Sequence, residues 1–388
     1  MYVVTLKKNE EKRILEGHPW VYANEVQRID GHDAQGSVAK VVASDGRFLG
    51  YGFINHLSKI IVRILTRDET PIDEDFFFNR IKEANDRRID LGYSDNYRVI
   101  FGENDLLPGL IVDKYGDYLC CEFLSLGMDL RKDIIVDSLV KIFNPKGIYE
   151  RSDASVRLKE GLKEFKGPIY GEFNPRVEII ENGIRMIVDM ENGQKTGYFL
   201  DQKENRYNLR QYVKGKDVLD CFCNVGGFSL NAALGGAKSV IAADISEKAL
   251  NDVRENAKLN GITNIETKCV DVFNYLRECK TEKKKFDVIV LDPPAFTKSV
   301  DTVKAGYMGY LDINLLALKL LNKGGYLVTC SCSEHLTLNL FFKMISEAIG
   351  KSHLNCQLVE IRMQSKDHAS LINSSEGLYL KSAIIRVI

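Results

Sequence analysis

The most constraining feature of this 388-residue chain is a strict alternation of apolar runs with helical patterns after Lys214. The runs DVLDCFC, SVIAADI and FDVIVLD each precede a segment with helical spacing, such as EKALNDVRENAKLN. Apolar strands that alternate with helices predict a doubly wound parallel sheet. The chain closes with QLVEIRMQ and GLYLKSAIIRVI, which have no helix-length pattern between them and predict an antiparallel pair at the sheet edge.

The first 66 residues contain short apolar runs separated by turn signals, which predict a small β-barrel. The runs GSVAKVVA and FLGYGFI flank SDGR, and its Asp45-Gly46 pair is a strong hairpin signal. The next segment, IDEDFFFNRIKEANDRRIDLGY, predicts a helix that links the barrel to a second domain. Basic residues lie along this helix at Arg80, Lys82, Arg87 and Arg88.

Residues 104–190 predict a unit of α+β type. The strand-like GLIVD and DYLCCEFL precede the helical pattern LRKDIIVDSLVKIF, and the strand-like VEII and IRMIVDM follow it. We therefore predict three domains: a barrel over residues 1–70, a linker helix with a central α+β domain over 71–190, and the doubly wound sheet over 191–388. The central domain could also offer a homodimer face.

Composition narrows the class of protein. No apolar run approaches the roughly twenty residues that span a bilayer, and MYVVTLKKNEEKR lacks the layout of a signal peptide. The nine cysteines are odd in number and irregularly spaced, which favours reduced thiols and a cytoplasmic protein without membrane contact. The formal net charge of -1 gives no global attraction for polyanions, so any nucleic acid must bind through local basic patches.

Ligands of doubly wound sheets bind beyond the carboxyl ends of the strands, so the residues after each strand are the candidates. Asp220 opens DCFCNVGGF, whose glycines would let backbone approach a ligand, but the run is not the GxGxxG loop of NAD or FAD sites. Asp244 follows the second strand and could bind ribose hydroxyls or cap a helix. Asp271 follows the third and could accept from an adenine amino group or be a cap.

Two further runs follow the fourth and fifth strands. In DPPAF, the two prolines fix an extended exit that aims Asp292 and Phe296 into the cleft. In TCSCSEH, Cys330 lies inside the buried ladder, whereas Cys332 has passed the strand end. The pair could be redox-active, half of a metal site with Cys221 and Cys223, buried apolar residues, or one nucleophile beside a bystander. The spacing matches neither CxxC nor zinc knuckles, so no metal site is predicted.

These runs, in this order, resemble a class I S-adenosylmethionine-dependent methyltransferase. The runs GHPWVY, RSDASVRLKEG, QKTGYFLDQKENR and EGLYLKS make the chain similar to the large-subunit ribosomal RNA cytosine-5 methyltransferase I family over nearly its whole length. The resemblance implies an N-terminal PUA-like RNA-binding barrel, a central α+β domain and a C-terminal Rossmann-like sheet. It also implies S-adenosyl-L-methionine as cofactor, large-subunit rRNA as partner and 5-methylcytosine as product.

The resemblance implies Cys332 as the catalytic cysteine and Asp292 as an acid near ring nitrogen 3. The chemistry agrees, because carbon-5 of cytosine becomes nucleophilic only after a thiolate adds to carbon-6. Residues predicted to bind the cofactor are Asp220, Cys221, Phe222, Gly226, Gly227, Phe228, Asp244, Asp271, Val272, Asp292 and Pro293. Residues predicted to contact the substrate are Lys195, Gln202 and Phe296.

Some alternatives stay open. Related RNA cytosine-5 methyltransferases often carry a second cysteine after the two prolines, but Ala295 stands there in this chain. We expect Asp201 to cap a helix that carries Arg206 and Arg210. The base that removes the carbon-5 proton and the modified nucleotide are not indicated. A methyltransferase that acts on a base nitrogen without a covalent adduct, and a non-catalytic RNA-binding or assembly factor, are the competing functions.

Overall fold

The computed structural model of the chain describes residues 1–297, 299–374 and 377–388. Glu376, the first residue of the EGLYLKS run, lies outside the described residues. The chain forms two compact units. The first unit comprises Met1–Ile179, Val188–Leu200 and Lys366–Gly377, and the second comprises Ile180–Ile187, Asp201–Ser365 and Leu378–Ile388.

The first unit begins with a six-stranded sheet. Its elements are β1 (Tyr2–Leu6), α1 (Glu11–Leu15), β2 (Trp20–Tyr22), β3 (Val26–Asp30), β4 (Val38–Val42), β5 (Phe48–Ile54) and β6 (Ile60–Thr66). The strand order is β2-β6-β5-β4-β1-β3, with β1 parallel to β4. Strands β4 and β5 pair antiparallel around Gly46, which has φ +86°, so the predicted hairpin is confirmed.

A helix and a second sheet complete most of this unit. The elements are α2 (Glu74–Asp90), β7 (Asn96–Phe101), β8 (Leu110–Tyr115), β9 (Tyr118–Phe123), α3 (Leu126–Asp129), α4 (Lys132–Phe143), β10 (Gly147–Ser152), α5 (Val156–Lys159) and β11 (Phe165–Tyr170). The Asp73 side chain caps α2 by accepting from the Phe76 N–H at 3.0 Å. Phe77, Ile81 and Ala84 of α2 are buried in one core with the five-stranded sheet β11-β10-β9-β8-β7. The predicted helix and strands are therefore present.

A hairpin follows, formed by β12 (Arg176–Glu181) and β13 (Ile184–Asp189), and its residues are divided between the two units. Its turn residues Asn182 and Gly183 have φ values of 55° and 78°. Positive φ at both central residues suits a tight turn between twisted strands, and Asn-Gly tolerates it best. The predicted strand pair around this turn is confirmed.

The second unit is the doubly wound sheet. Its further elements are α6 (Lys203–Leu209), β14 (Asp217–Cys221), α7 (Gly227–Leu234), β15 (Ser239–Asp244), α8 (Glu247–Leu259), β16 (Ile265–Cys269), α9 (Val272–Thr281), β17 (Phe286–Leu291), α10 (Val303–Leu320), β18 (Leu321–Ser331), α11 (Leu338–Ser352), β19 (Cys356–Arg362) and β20 (Lys381–Val387). The strand order is β16-β15-β14-β17-β18-β20-β19. Strands β14 to β18 are parallel, whereas β20 runs antiparallel to both β18 and β19. The sheet and its antiparallel edge pair are confirmed.

Among the described residues, none of the helices has the length and apolar character needed to cross a membrane. The cytoplasmic location stays a prediction, and so do the domain boundaries at residues 70 and 190 and the homodimer face.

Candidate active site

The strand order of the second unit reverses between β14 and β17, which are neighbours in the sheet. Helices that leave such strands on opposite faces open a crevice at their carboxyl ends. Asp220 is the second-to-last residue of β14, and Asp292 directly follows β17. The Asp292 N–H donates to the Cys221 carbonyl oxygen at 3.4 Å, so the two strand ends stay together. This crevice is the candidate active site.

The loop after β14 has a backbone that few sequences adopt. Phe222, Asn224 and Gly226 have φ values of 62°, 49° and 87°. The left-handed region is costly for residues with a Cβ atom, so this loop is held by its surroundings. A Cβ atom at Gly226 would lie 3.1 Å from the side chain of Val253, so glycine also keeps the loop close to α8. The Asn224 N–H donates to Asp244 Oδ2 at 3.0 Å, which fastens the loop to the end of β15.

Asp220 is fully buried, and only one of its oxygens is satisfied. The Ser229 hydroxyl donates to Oδ2 at 2.6 Å, whereas Oδ1 has no hydrogen-bond partner. Burial raises the pKa of Asp220 to about 7. A buried acceptor without a donor is costly unless a ligand supplies one. Asp220 and the glycine loop thus fit a cofactor that carries a hydrogen-bond donor and needs close backbone approach.

Asp244 and Asp271 both make local backbone bonds. Asp244 Oδ1 accepts from the Ser246 N–H at 2.9 Å, but Ser246 itself caps α8. Asp271 caps α9 by accepting from the Asn274 N–H at 2.9 Å, and its side chain is exposed. The cap at Asp271 is therefore present, whereas Asp244 serves the glycine loop. Their predicted contacts with a cofactor stay predictions.

An aromatic cluster joins two of the predicted site residues. The rings of Phe222 and Phe296 have centroids 6.3 Å apart, and both contact Phe273. Phe296 also lies 4.6 Å from the ring of Tyr310 in α10. The structure therefore places Phe222, predicted to bind the cofactor, beside Phe296, predicted to contact the substrate. Such partly buried rings can present a flat surface to a base.

Asp292 is held by a relay of amides. Gln202 Nε2 donates to Asp292 Oδ1 at 2.9 Å, and Asn205 Nδ2 donates to Gln202 Oε1 at 2.7 Å. Burial, reinforced by the charge of Asp201, raises the pKa of Asp292 to about 7. A carboxyl with this pKa exchanges protons readily at neutral pH. The structure thus brings Gln202, which the sequence predicted as a substrate contact, to Asp292.

The two cysteines of TCSCSEH differ in environment. Cys330 is fully buried, and its thiol donates to the Ser382 hydroxyl at 3.3 Å. Cys332 lies one residue beyond the end of β18, is partly exposed, and has its sulfur 4.0 Å from the Pro293 carbonyl oxygen. Burial raises the pKa of the Cys332 thiol to about 12, with Asp292 and Asp201 contributing. Of these two thiols, Cys332 is the partly exposed one, and its sulfur lies against Pro293, which follows Asp292.

The sequence did not predict Lys381. It is only 3% exposed, and Nζ donates to the Ser333 carbonyl oxygen at 2.7 Å. Within the described residues it makes no ion pair with a carboxylate. Burial lowers the pKa of Lys381 to about 8, while Cys332 and Glu334 raise it. The EGLYLKS run resembles the family pattern, but its strand-like sequence contains no signal for a buried charge.

The prediction for Asp201 was wrong. Helix α6 starts after Gln202 and has no side-chain cap, whereas Asp201 Oδ2 accepts from the Tyr379 hydroxyl at 2.6 Å. Oδ1 of Asp201 is buried without a hydrogen-bond partner. The reason is that Asp201 belongs to a 3-10 turn before α6, where it is buried and its carboxylate is bound by Tyr379. Arg206 is buried against Glu181, with Nε to Oε1 at 2.7 Å, and Arg210 donates to Asn231 at 2.9 Å.

The remaining predicted site residues differ in their surroundings. Lys195 is exposed, has φ +55°, and belongs to the first unit. The side chains of Cys221, Phe228 and Val272 are buried in the hydrophobic core of the second unit. Pro293 is buried beside Asp292. In the described residues, no group of three or more His, Cys, Asp or Glu is arranged to hold a metal ion.

Family models match two parts of the chain. Residues 4–67 match the model of the PUA-like domain, and residues 167–360 match that of the S-adenosylmethionine-dependent methyltransferase. The crystal structure of SMU.776, described as a methyltransferase and solved in complex with SAH, superposes with a TM-score of 0.86 at 22% identity and covers 100% of both chains. That likeness shows the fold.

Curated relatives match over the full length. The ribosomal RNA large subunit methyltransferase I of Aeromonas hydrophila is 41% identical over 391 residues, covering 99% of this chain and 98% of its own. The protein of the same name from Aliivibrio fischeri is 41% identical over 392 residues, covering 99% of each chain. The chain therefore belongs to the ribosomal RNA large subunit methyltransferase I family and carries an S-adenosylmethionine-dependent methyltransferase domain.

Proposed function

We propose that this chain methylates carbon-5 of a cytosine in large-subunit ribosomal RNA. The names of its relatives support large-subunit ribosomal RNA as the substrate. The observation that carries the cytosine-5 assignment is the partly exposed thiol of Cys332 at the crevice, beside a carboxyl whose pKa is about 7. A nitrogen target would need no thiol, because its lone pair attacks a methyl group directly. A carbon-5 target needs one.

Cys332 is the nucleophile in this proposal. Its thiolate adds to carbon-6 while Asp292 donates a proton to ring nitrogen 3, which leaves an enamine with electron density at carbon-5. After carbon-5 is methylated, a base takes the carbon-5 proton, and the electron pair of that bond reforms the ring double bond as the sulfur–carbon bond breaks. The Cys332 thiolate is released, and nitrogen 3 returns its proton to Asp292. Gln202 orients the carboxyl for both transfers, since it holds Oδ1 and leaves Oδ2 to the base. No described residue is assigned to the carbon-5 proton.

Lys381 is proposed to stabilise the thiolate through space. Its ammonium is held next to Cys332 by the bond to Ser333 and forms no ion pair with a carboxylate of the described residues, although Glu334 raises its pKa. A nearby positive charge favours the ionised thiol, which is otherwise opposed by burial and by Asp292. Lys381 is thus a positioning residue for the nucleophile.

S-adenosylmethionine, when bound, supplies an electrophilic methyl group. We propose that Asp220 accepts a hydrogen bond from it through the unsatisfied Oδ1, and that the loop of Phe222, Gly226 and Gly227 approaches it with backbone. Asp244 would meet its ribose hydroxyls, as acids at this place in nucleotide-binding sheets do. Asp271 and Pro293 complete the proposed cofactor set. Cys221, Phe228 and Val272 could contribute only through their backbone, because their side chains are in the core.

The base must be unstacked before Cys332 can reach carbon-6. Phe296, in the aromatic cluster beside the crevice, is the proposed surface for it. Lys195 is proposed to contact RNA from its exposed turn.

The test uses labelled S-adenosylmethionine and unmethylated large-subunit rRNA, with Cys332→Ala and the matched variant Cys330→Ala. We expect 5-methylcytosine with the wild type and Cys330→Ala, and none with Cys332→Ala. Methylation that survives Cys332→Ala would exclude the covalent route and favour a base nitrogen as target. No label transfer to any RNA, with RNA still bound, would favour a non-catalytic binding protein.

A further inference from the structure

Helix α2 in the first unit carries arginines that the active site does not use. Arg87 and Arg88 both pair with Asp105, at 3.0 and 2.5 Å. Arg80 differs, because it makes no ion pair or hydrogen bond within the described residues. A positively charged group that is half-buried and unpaired therefore stands on this helix.

The surroundings of Arg80 raise the cost of leaving it unpaired. Its guanidinium lies 5.0 Å from the ring centroid of Phe76, and Nη1 is buried without a hydrogen-bond partner. Burial lowers the pKa of Arg80, against the nearby carboxylates of Glu83, Asp68 and Asp105, while Arg87 lowers it further. A buried donor of this kind normally has an acceptor. Nη1 of Arg80 is therefore a buried donor that a bound anion would satisfy.

Arg80 lines a cavity of about 150 Å³. A single water needs only about 10–15 Å³ on a comparable measure, so the cavity can hold a larger group. Its lining residues are Pro19, Ile64, Leu65, Thr66, Arg67, Asp68, Arg80 and Leu106. We call this cavity the arginine pocket.

The charges of the arginine pocket favour an anion. Arg67 donates from Nε to the Ile14 carbonyl oxygen at 3.1 Å, and its two terminal nitrogens make no bond in the described structure. The residues that line the pocket therefore include two guanidinium groups and one carboxylate, that of Asp68. Planar guanidinium groups match the oxygens of a phosphate and can bind two of them at once.

We propose that the arginine pocket binds a phosphodiester group of the RNA substrate. This inference rests on the proposed function, which supplies RNA as the substrate. The net charge of -1 gives the chain no general attraction for RNA, so affinity has to come from such local sites. An unpaired guanidinium that is costly in the free protein becomes paired in the complex, and this pairing contributes to binding.

The first arm of the test measures the affinity for an rRNA fragment over a range of KCl concentrations. The variants are Arg80→Gln and Arg67→Gln, with Arg28→Gln as the matched control, because exposed Arg28 is paired with Asp30 at 2.9 Å. Each lost phosphate contact should lower the slope of log K against log[salt] by about 0.7–0.9. The affinity at low salt should fall about tenfold, as for other charged hydrogen bonds. Arg28→Gln should bind like the wild type.

The same variants separate a binding role from a structural one. Arg80→Gln removes an unpaired charge, so its thermal stability should equal or exceed that of the wild type. A lower Tm together with unchanged RNA binding would mean that Arg80 only packs on Phe76, and would overturn the proposal. Arg67 is exposed, so Arg67→Gln repeats the RNA measurement without touching that packing.

The second arm needs no RNA. Inorganic phosphate, compared with chloride at equal ionic strength, should raise the Tm of the wild type more than that of Arg80→Gln. Equal behaviour of these two proteins in both arms would overturn the proposal. A difference with phosphate alone would overturn the assignment to RNA, whereas a difference with RNA alone supports it. Loss of methyl transfer to RNA with both arms intact would refute the proposed function and leave the pocket standing.

Discussion

Replacement of Lys381 by methionine tests the electrostatic part of the proposed active site. The change keeps an unbranched side chain and removes the charge and the bond to the Ser333 carbonyl. Lys381 is 3% exposed, so solvent screens its charge poorly. An opposite charge within about 4–6 Å shifts a pKa by about 1–3 units. Lys381 acts on the pKa of Cys332 more weakly than Asp292 and Asp201 do, so we take the lower value.

One unit corresponds to a tenfold change in thiolate population, or about 1.4 kcal/mol. The pKa of Lys381 is lowered to about 8, so its ammonium dominates below pH 8 and is lost above it. The thiolate of Cys332 should therefore be about ten times less populated in Lys381→Met at pH 7. The ratio of wild type to variant should fall toward one above about pH 9.

The assay is the rate of iodoacetamide alkylation at Cys332 as a function of pH, followed by mass spectrometry of the peptide that contains it. This readout separates Cys332 from exposed Cys269 and needs neither RNA nor cofactor. Lys381→Arg, which keeps the charge, should alkylate like the wild type at pH 7 and stay faster above pH 9. Equal rates for the wild type and Lys381→Met across this range would refute the reasoning, and would leave the test of Cys332→Ala unaffected.

Three further outcomes follow from the same geometry. In the proposed mechanism, methyl transfer requires protonated Asp292 and ionised Cys332, whose pKa values are about 7 and about 12. The single-turnover rate should therefore rise about tenfold per pH unit below pH 7. The rate should level off between pH 7 and 8 and fall as Lys381 loses its proton. In Asp292→Asn the reaction should be much slower, and its rate should show no change of slope near pH 7. Cys330→Ala should lower the free energy of unfolding by about 1 kcal/mol in urea titrations while methylation persists. Gly226→Ala forces φ +87° on a residue with a Cβ atom, so it should lower the free energy of unfolding by about 1–2 kcal/mol. It should also weaken S-adenosylmethionine binding in calorimetry, and unchanged affinity would contradict the role of the loop.

The strands and helices of the second unit could be predicted because each is a local pattern. An apolar run followed by a helical repeat predicts a parallel strand. The polar residues that follow such strands lie together at the carboxyl edge of the sheet. Asp220, Asp292 and Cys332 were found by that rule. Gln202 was found only as part of a resemblance, since nothing local shows that its amide reaches Asp292, 90 residues away in sequence.

Lys381 escaped the same rule for a topological reason. The rule searches residues that follow parallel strands, but an antiparallel strand brings its first residue, not its last, to that edge of the sheet. Lys381 is the first residue of β20, and it pairs with Ser331, the last residue of β18. The error at Asp201 is of a related kind, because its partner Tyr379 is 178 residues away. Sequence patterns do not report such contacts.

The same edge strand explains why two cysteines with one residue between them differ. The pairing of β18 with β20 runs from Tyr326↔Arg386 to Ser331↔Lys381, so Cys330 lies opposite Ser382 and is covered by it. The register stops there, and Cys332 has no residue of β20 opposite. A partner strand longer by one residue would cover both thiols, and one shorter by two would expose both. The point at which pairing ends, rather than the spacing of the cysteines, therefore decides which thiol stands at the crevice.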